Sequence, residues 1–247
     1  MRVCIKSVYL TAVMALCVDA HATARVPATA DALYARREDP VAARQAADQY
    51  LAHHRAVPQD FVGSWKLSRA SYFLGTQGPA PERRMWLETG IAAANDAIAL
   101  NAGRPEGHFW LAANMGALAE SYGLRQGLKY RTRIRQALER VLAIDPAFME
   151  GSADRALGRW YHKVPGLFGG SAAKAEQHLR KSLSYSPNSA VSLYFLGELY
   201  QDEGRPAEAQ RLYQQVLEAP LHREYAPEDR VFKAQARARL QALASRR

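Results

Sequence analysis

The chain has 247 residues, a formal net charge of +9 and two cysteines, Cys4 and Cys17. Because both cysteines lie near the N-terminus, the rest of the chain can form neither a disulfide nor a thiolate metal site. The length suits one domain or one repeat array. A basic chain can meet an acidic partner or an anionic membrane, but no nucleic-acid recognition motif occurs, so we expect no nucleic-acid partner.

The first 24 residues are typical of a secretory signal peptide. A positively charged start precedes an apolar run at residues 8–18, which is shorter than the about 20 residues that span a bilayer. Cys17 lies at the end of this run, but Leu16 precedes it where a lipoprotein signal needs a small residue. We therefore expect an exported protein without a lipid anchor, whose residues 25–247 form a single domain, and leave other membrane association open.

The rest of the chain is predicted to be all-α. Apolar residues recur at i, i+3, i+4 and i+7, and no stretch alternates with the period of a strand. Residues 187–220 fit the tetratricopeptide (TPR) pattern best, with Leu196, Gly197 and Tyr200 in a first helix and Ala209 in a second. The small residues among them let the paired helices approach closely.

Three earlier helix pairs and two flanking helices follow the same plan. We predict a TPR-like, right-handed superhelical array of about four pairs, with a unit of about 40 residues rather than the regular 34. Enlarged turns are expected at residues 122–130 and 165–171. The predicted elements are a helix at 41–54, a pair at 60–76 and 83–100, pairs within 110–146, 157–187 and 187–220, and a closing helix at 228–244.

The second enlarged turn is a glycine-rich loop with the sequence PGLFGGS at residues 165–171. It lacks both the lysine and the preceding strand of a phosphate-binding P-loop, so we expect no nucleotide there. We expect instead a shaped connection that is capped at Ser171, with Leu167 and Phe168 packing inward or lining a cavity.

Four segments stand in an order that is typical of one protein family. They are GHFWLAANMG at residues 107–116, LERVLAIDP at 138–146, LGRWY at 157–161 and VPGLFGGS at 164–171. Over roughly residues 90–220, the chain resembles the T component (TatT) of tripartite ATP-independent periplasmic (TRAP) transporters. The resemblance implies a periplasmic, non-enzymatic helical array that self-associates, with a trimer as the expected form.

The same resemblance implies two partners. A periplasmic solute-binding protein, the P component, would dock on the array, and a hydrophobic or organic-acid small molecule would occupy an apolar cavity. The alternative interpretation is a general periplasmic scaffold or envelope-assembly adaptor that binds peptides on its concave face. The generic repeat at residues 187–220 favours this alternative equally well.

Candidate contact residues are aromatic, polar or part of the glycine-rich loop. The aromatic residues occupy repeat positions that usually form the core, although a concave face can also use such residues for binding. Asn114 interrupts an apolar helix and needs a hydrogen-bond partner, either a neighbouring turn or a ligand. The candidates are Trp110, Asn114, Trp160, Tyr161, Pro165, Gly166, Leu167, Phe168, Gly169, Gly170 and Tyr194.

No residue pattern indicates catalysis or a cofactor. The histidines form no metal-binding spacing, and the serines have no nucleophile context. Arg125, Lys129 and Arg133 recur on one helical face, which is more typical of a solvated surface than of a binding surface. We expect no catalytic residue, no metal site and no cofactor.

Overall fold

The computed structural model describes residues 25–245, and the predicted signal peptide lies outside them. Within that range the chain forms eleven α-helices and no β-strand, which confirms the all-α prediction. The helices are α1 (Ala28–Ala35), α2 (Pro40–Ala56), α3 (Phe61–Gln77), α4 (Arg83–Leu100), α5 (Pro105–Tyr122), α6 (Leu124–Ile144), α7 (Ser152–Lys163), α8 (Ala172–Tyr185), α9 (Ala190–Asp202), α10 (Pro206–Glu218) and α11 (Ala226–Ala244). No helix in this range is both long and apolar enough to cross a bilayer.

The helices begin where local sequence satisfies their free backbone N–H groups. Asp60 caps α3, because its carboxylate accepts a backbone hydrogen bond at 2.9 Å. Pro105 and Pro206 occupy the first turns of α5 and α10, where the missing N–H has no partner to lose. Ser171 caps α8 as predicted, since its hydroxyl accepts a hydrogen bond from the N–H of Lys174 at 3.3 Å.

The four predicted helix pairs and both flanking helices are confirmed. α3 packs on α4, α5 on α6, α7 on α8 and α9 on α10, while α2 precedes and α11 follows these pairs. Small residues set the closest approaches: a Cβ on Gly158 would lie 2.5 Å from Leu179 Cγ, and one on Gly197 would lie 2.7 Å from the Tyr213 ring. The repeat pattern therefore identified the positions where paired helices touch.

The first helix of the structure, α1, has no counterpart in the sequence prediction. Its eight residues are too few to show a helical period clearly. α1 packs on α2, and the Tyr34 ring lies edge-on to Tyr50 and Phe73, with centroids 6.5 and 6.4 Å away. It completes the core of the N-terminal end of the array.

The enlarged turn predicted at residues 122–130 is wrong. α5 ends at Tyr122 and α6 begins at Leu124, so Gly123 alone reverses the chain, with a φ of +81° that favours glycine. The following residues continue as helix and make α6 21 residues long. The extra residues of this unit therefore lengthen a helix instead of a turn.

The glycine-rich loop is a connection, as predicted, but its apolar side chains do not pack inward. Gly166–Phe168 forms a short 3₁₀ turn between α7 and α8. Leu167 is 90% exposed and Phe168 is 36% exposed, so the predicted inward packing is wrong. The loop's own backbone hydrogen bonds hold it in shape and leave these two side chains at its surface.

Candidate binding groove

The first helices of successive pairs line the inner surface of the array. α3 contacts α5, α5 contacts α7, α7 contacts α9 and α9 contacts α11. The second helices of successive pairs make no comparable contact within residues 25–245. Because helices crowd together on the concave side of a solenoid, α3, α5, α7, α9 and α11 form the wall of its groove.

A chain of ion pairs connects four helices of this groove wall, α5, α7, α9 and α11. Arg159 on α7 binds Glu120 on α5, with Nε 2.9 Å from Oε1, and also binds Glu198 on α9. Arg239 on α11 continues the chain, because its Nη2 lies 2.8 Å from the second oxygen of Glu198. Burial alone would lower the pKa of Arg159, but the two carboxylates outweigh it and raise that pKa. We call these four residues the charge ladder.

The two ends of the array meet across the groove. Arg37, which follows α1, donates from Nε and Nη2 to both oxygens of Glu228 on α11, at 2.9 and 2.7 Å. Its Nη2 also donates to the backbone oxygen of Glu224 at 2.6 Å. Arg230 and Glu38 form a second, exposed pair beside it. The segment that precedes α11 is thereby held against α1.

A cationic cleft of about 340 Å³ opens beside this contact. Lys66 and Tyr50 both bind the carboxylate of Asp31, so this acid is already occupied. Burial would raise the pKa of Asp31, but these two partners lower it below its ordinary value. The cleft is lined by Asp31, Tyr34, Ala35, Arg37, Lys66, Arg69, Arg223 and Glu224.

Arg69 on α3 has one buried hydrogen-bond donor without a partner beside this cleft. Its Nε is buried and has no partner, and its Nη1 is 3.9 Å from Glu224, too far for a hydrogen bond. The guanidinium lies 4.1 Å from the ring centroid of Tyr34 and 5.0 Å from that of Trp65. These two aromatic rings fix the orientation of Arg69, whose guanidinium also interacts with the Tyr50 hydroxyl.

Arg155 on α7 is a second arginine with open donors. It lies one helical turn before Arg159 on the same groove-lining face, and among the described residues no hydrogen bond or ion pair engages its guanidinium. Burial lowers the pKa of Arg155, and the neighbouring Tyr225 and Tyr72 hydroxyls and the Glu150 and Asp229 carboxylates only partly offset this effect. Burial also raises the pKa of each tyrosine to about 12, so both stay protonated and able to donate.

The repeat register explains why Arg155 has no ion-pair partner. Glu120 and Glu198 each stand 39 residues from Arg159, so one repeat in either direction supplies a carboxylate. The same 39-residue offset from Arg155 leads to Gly116 and Tyr194, neither of which is charged. A Cβ added at Gly116 would meet no atom within 4 Å, so the space beside that position is open.

The matches to known proteins agree with this architecture. The family model described as "Regulator of microtubule dynamics protein 1-3" matches residues 26–244. The chain belongs to this family. No curated protein matches the chain. The matched residues include every helix of the array, so the whole described structure corresponds to the unit shared by the regulator of microtubule dynamics family.

Solved structures similar to this member of the family are TPR proteins. A thermophilic TPR protein of Thermus thermophilus is 20% identical with a TM-score of 0.65, covering 85% of this chain and 96% of its own. A structure of MamA is 18% identical with a TM-score of 0.50, covering 81% and 95%. Identities this low establish the fold alone. The TPR-like array is therefore confirmed, whereas the resemblance to the TRAP T component stays a prediction.

Asn114 is buried on α5 and serves the packing of the array. Its Nδ2 donates to the backbone oxygens of Ser68 and Trp110, at 3.1 and 2.8 Å. A Cβ on Gly90 would clash with the Asn114 amide at 2.2 Å, so that glycine makes room for it. The Oδ1 of Asn114 has no hydrogen-bond partner among the described residues. These contacts favour the neighbouring-turn interpretation over a ligand contact.

The predicted aromatic contacts also lie in the core. Trp110 is buried against Tyr72, with ring centroids 5.7 Å apart, and Tyr194 packs on Phe232. The indole N–H of Trp160 donates to the backbone oxygen of Arg131 on α6 at 3.0 Å. The Tyr161 ring stacks on His178. The candidates from the glycine-rich loop are Pro165, Gly166, Leu167, Phe168, Gly169 and Gly170, and they lie at the loop surface or just beneath it.

Sequence reasoning missed the residues that give the groove its character. Arg69, Tyr72, Arg155 and Tyr225 face the groove, and none of them occupies a repeat-consensus position. A sequence signal for such groove residues is an arginine on the first helix of a pair, one helical turn from an aromatic residue of the repeat pattern. The second part of the signal is that no acidic residue stands one repeat length before or after that arginine. Within residues 25–245, no group of three or more potential ligand residues is placed to hold a metal ion.

Proposed function

We propose that this chain is a non-enzymatic interaction scaffold that binds an acidic, extended segment of a partner protein in its groove. A TPR-like fold of this kind suggests protein–protein interaction, and the charge of the groove narrows the partner. The observation that carries the proposal is Arg155, a groove-lining arginine that no described residue engages by a hydrogen bond or a close ion pair, although Glu150 and Asp229 lie near it. A guanidinium presents a planar fork of donors that suits a carboxylate, and such a pair is strong where water is excluded.

The part of the groove around Arg69 and Arg155 is suited to more than one carboxylate. Arg69 and Arg155 both lie near the Tyr225 hydroxyl, as do Glu224 and Glu150, which places the two arginines around the segment that precedes α11. An extended acidic segment along α3 and α7 would meet Arg69 and then Arg155, with Tyr72 and Tyr225 supplying further donors. The charge ladder already pairs its two arginines with Glu120 and Glu198, so Arg69 and Arg155 are the arginines that this proposal uses.

We further propose that the partner is the solute-binding P component of a TRAP-type transporter. The ordered motifs at residues 107–116, 138–146, 157–161 and 164–171 support this assignment. This assignment also implies a periplasmic location, self-association as a trimer and a hydrophobic or organic-acid ligand. The carboxylate of an organic acid would bind to the same arginines. The name of the matched family suggests a different partner, a cytoskeletal protein. The predicted signal peptide favours the periplasmic partner over the cytoskeletal one.

A peptide-binding measurement tests the groove. The probe is a fluorescein-labelled extended peptide of alternating Glu and Ala, with its Gln counterpart as the neutral control. Arg155→Gln should weaken binding of the acidic peptide at least about thirtyfold, because it removes one partner of a desolvated charge pair. Arg237→Gln removes the same charge from an exposed site on α11 and should change binding less than about twofold.

Gly116 offers a second variant that leaves Arg155 in place. Gly116→Glu would add the missing carboxylate one repeat before Arg155, pair with it and block the peptide, whereas Gly116→Ala should bind normally. Equal binding by the Arg155 and Arg237 variants would refute the groove proposal. Co-purification from periplasm and light scattering test the finer assignment: recovery of envelope-assembly factors, or a strict monomer, would contradict the TRAP partner.

A further inference from the structure

The glycine-rich loop is built to hold an apolar tip in solvent. The N–H of Phe168 donates to the oxygen of Pro165 at 2.8 Å, and that of Gly170 donates to the same oxygen at 3.2 Å. The N–H of Ser171 then donates to the backbone oxygen of Tyr161 at 2.9 Å. These bonds define one conformation, and in that conformation Leu167 is 90% exposed.

The glycines are required for this shape. Gly169 has a φ of +104°, which side-chain-bearing residues rarely adopt. A Cβ on Gly170 would lie 1.6 Å from the backbone oxygen of Val164, which no adjustment of a side chain can relieve. The loop is therefore a specific structure whose outermost side chain is apolar. A connection that served only to join α7 to α8 would not need an exposed leucine at its tip.

A basic surface surrounds the tip. Residues 124–138 contain five cationic side chains and no acidic one, and residues 163–175 add two more cations and no acid. The two segments are in contact, because the Arg131 guanidinium lies 5.6 Å from the ring centroid of Phe168. Two of these cations have acidic neighbours outside the segments, Arg135 with Glu139 and Lys163 with Asp202. The cations are Arg125, Lys129, Arg131, Arg133, Arg135, Lys163 and Lys174.

We propose that this edge of the array docks on an anionic lipid surface, with Leu167 and Phe168 entering the interface and the surrounding cations facing the headgroups. The site is separate from the groove, so it stands or falls independently of the proposed function. An apolar protrusion with a basic surround is the arrangement by which peripheral proteins combine insertion with electrostatic attraction. Here α6 and the loop supply the two parts.

The shape of the surface favours a bilayer over a protein partner. Two apolar side chains on a convex tip are far short of the about 800 Å² per partner that a standard protein interface buries. A protein would also need a pocket that matches the protruding Leu167. A bilayer accepts such a side chain at any point, and diffuse negative charge suits long, exposed side chains such as Arg125 and Lys129.

Vesicle flotation with the full chain tests the proposal. Wild type should bind phosphatidylcholine vesicles that contain about one third phosphatidylglycerol, and bind pure phosphatidylcholine vesicles at least about tenfold more weakly. Leu167→Asp should weaken binding to the anionic vesicles at least about tenfold, since it removes an inserted side chain and adds a repelled charge. Arg125→Glu/Lys129→Glu should weaken binding to the anionic vesicles about thirtyfold or more. Each lost cation near the surface is worth about 1 kcal/mol, and about 1.4 kcal/mol corresponds to a tenfold change in binding.

Matched controls separate this site from general charge and hydrophobicity. Val41→Asp makes the same kind of change at another exposed apolar residue, which is 62% exposed. Arg211→Glu/Arg237→Glu makes the same net-charge change on α10 and α11, at exposed positions. Both controls should bind like wild type, and because all variants share residues 1–24, any contribution of that segment is common to them.

Three results would overturn the proposal. Binding that does not depend on anionic lipid would remove the role of the basic surface. Equal losses in the test and control variants would show that the tip has no special part. An acidic protein that binds the chain through Leu167, without any vesicle binding, would make the edge a protein interface and reject the lipid surface.

Discussion

Replacing Arg37 by methionine removes the centre of the contact that joins the two ends of the array. The Arg37 side chain is only 4% exposed, and its partner Glu228 is 29% exposed. Breaking a buried ion pair costs about 3–5 kcal/mol, but water can still reach part of Glu228. We therefore expect Arg37→Met to lower the free energy of unfolding by about 2–3 kcal/mol, a loss that includes the guanidinium's contact with the Tyr34 ring.

Urea titration followed by circular dichroism measures this loss, and a double-mutant cycle with Glu228→Gln isolates the pair. The expected coupling energy is about 1–2 kcal/mol. Arg230→Met is the matched control. Arg230 pairs with Glu38 in the same contact between the two ends of the array, but both of these side chains are at least half exposed. That control should cost less than about 1 kcal/mol.

Hydrogen exchange locates the effect of the Arg37 change. Loss of the contact should speed exchange in α1 and the first turns of α11, while α5 to α8 keep their protection. Equal losses for Arg37→Met and Arg230→Met would refute the reasoning, because they would mean that the buried pair is no stronger than the exposed one. Uniformly faster exchange would also contradict a local closure.

Two further predictions concern the core and the pH dependence of stability. Burial raises the pKa of the Asp229 carboxyl, so this carboxyl holds its proton more readily in the folded chain than in the unfolded chain. The folded state therefore loses stability as the pH rises and Asp229 becomes charged. Asp229→Asn, which can still accept the hydrogen bond from His222 N, should raise the urea midpoint at about pH 7 and lose that advantage near about pH 4. Gly197→Ala should cost about 1–3 kcal/mol in thermal unfolding because its Cβ would meet the Tyr213 ring, and no loss would contradict the packing. Gly127→Ala is the control, since its Cβ would meet nothing within 4 Å and helix propensity should favour it by up to about 1 kcal/mol.

The parts of the fold that could be predicted are those that the repeat encodes in short stretches of sequence. Helical periodicity and the spacing of Gly197, Tyr200 and Ala209 define which faces pack, because those positions hold the paired helices together. The contact between Arg37 and Glu228 joins residues 191 positions apart, and no local pattern encodes it. The groove residues were missed for a related reason: consensus positions describe packing, whereas Arg69 and Arg155 stand between them.

The wrongly predicted turn and the glycine-rich loop turn out to be parts of one structural feature. The first helices α5, α7 and α9 follow one another at a 39-residue offset, although a regular TPR unit has about 34 residues. The α7–α8 pair uses its extra residues in the loop, and the α5–α6 pair uses them to extend the start of α6. The consensus alanine Ala175 accordingly lies in the first turn of α8, whereas buried Ala137 lies past the midpoint of α6.

Both additions lie at the same edge of the array and touch each other. The α6 extension carries Arg131, whose backbone oxygen accepts the Trp160 indole N–H and whose guanidinium lies over Phe168. One addition supplies positive charge and the other an exposed apolar tip. Two neighbouring units that depart from the regular length in different ways, yet build one continuous edge, are better explained by a shared binding surface than by two unrelated tolerated insertions.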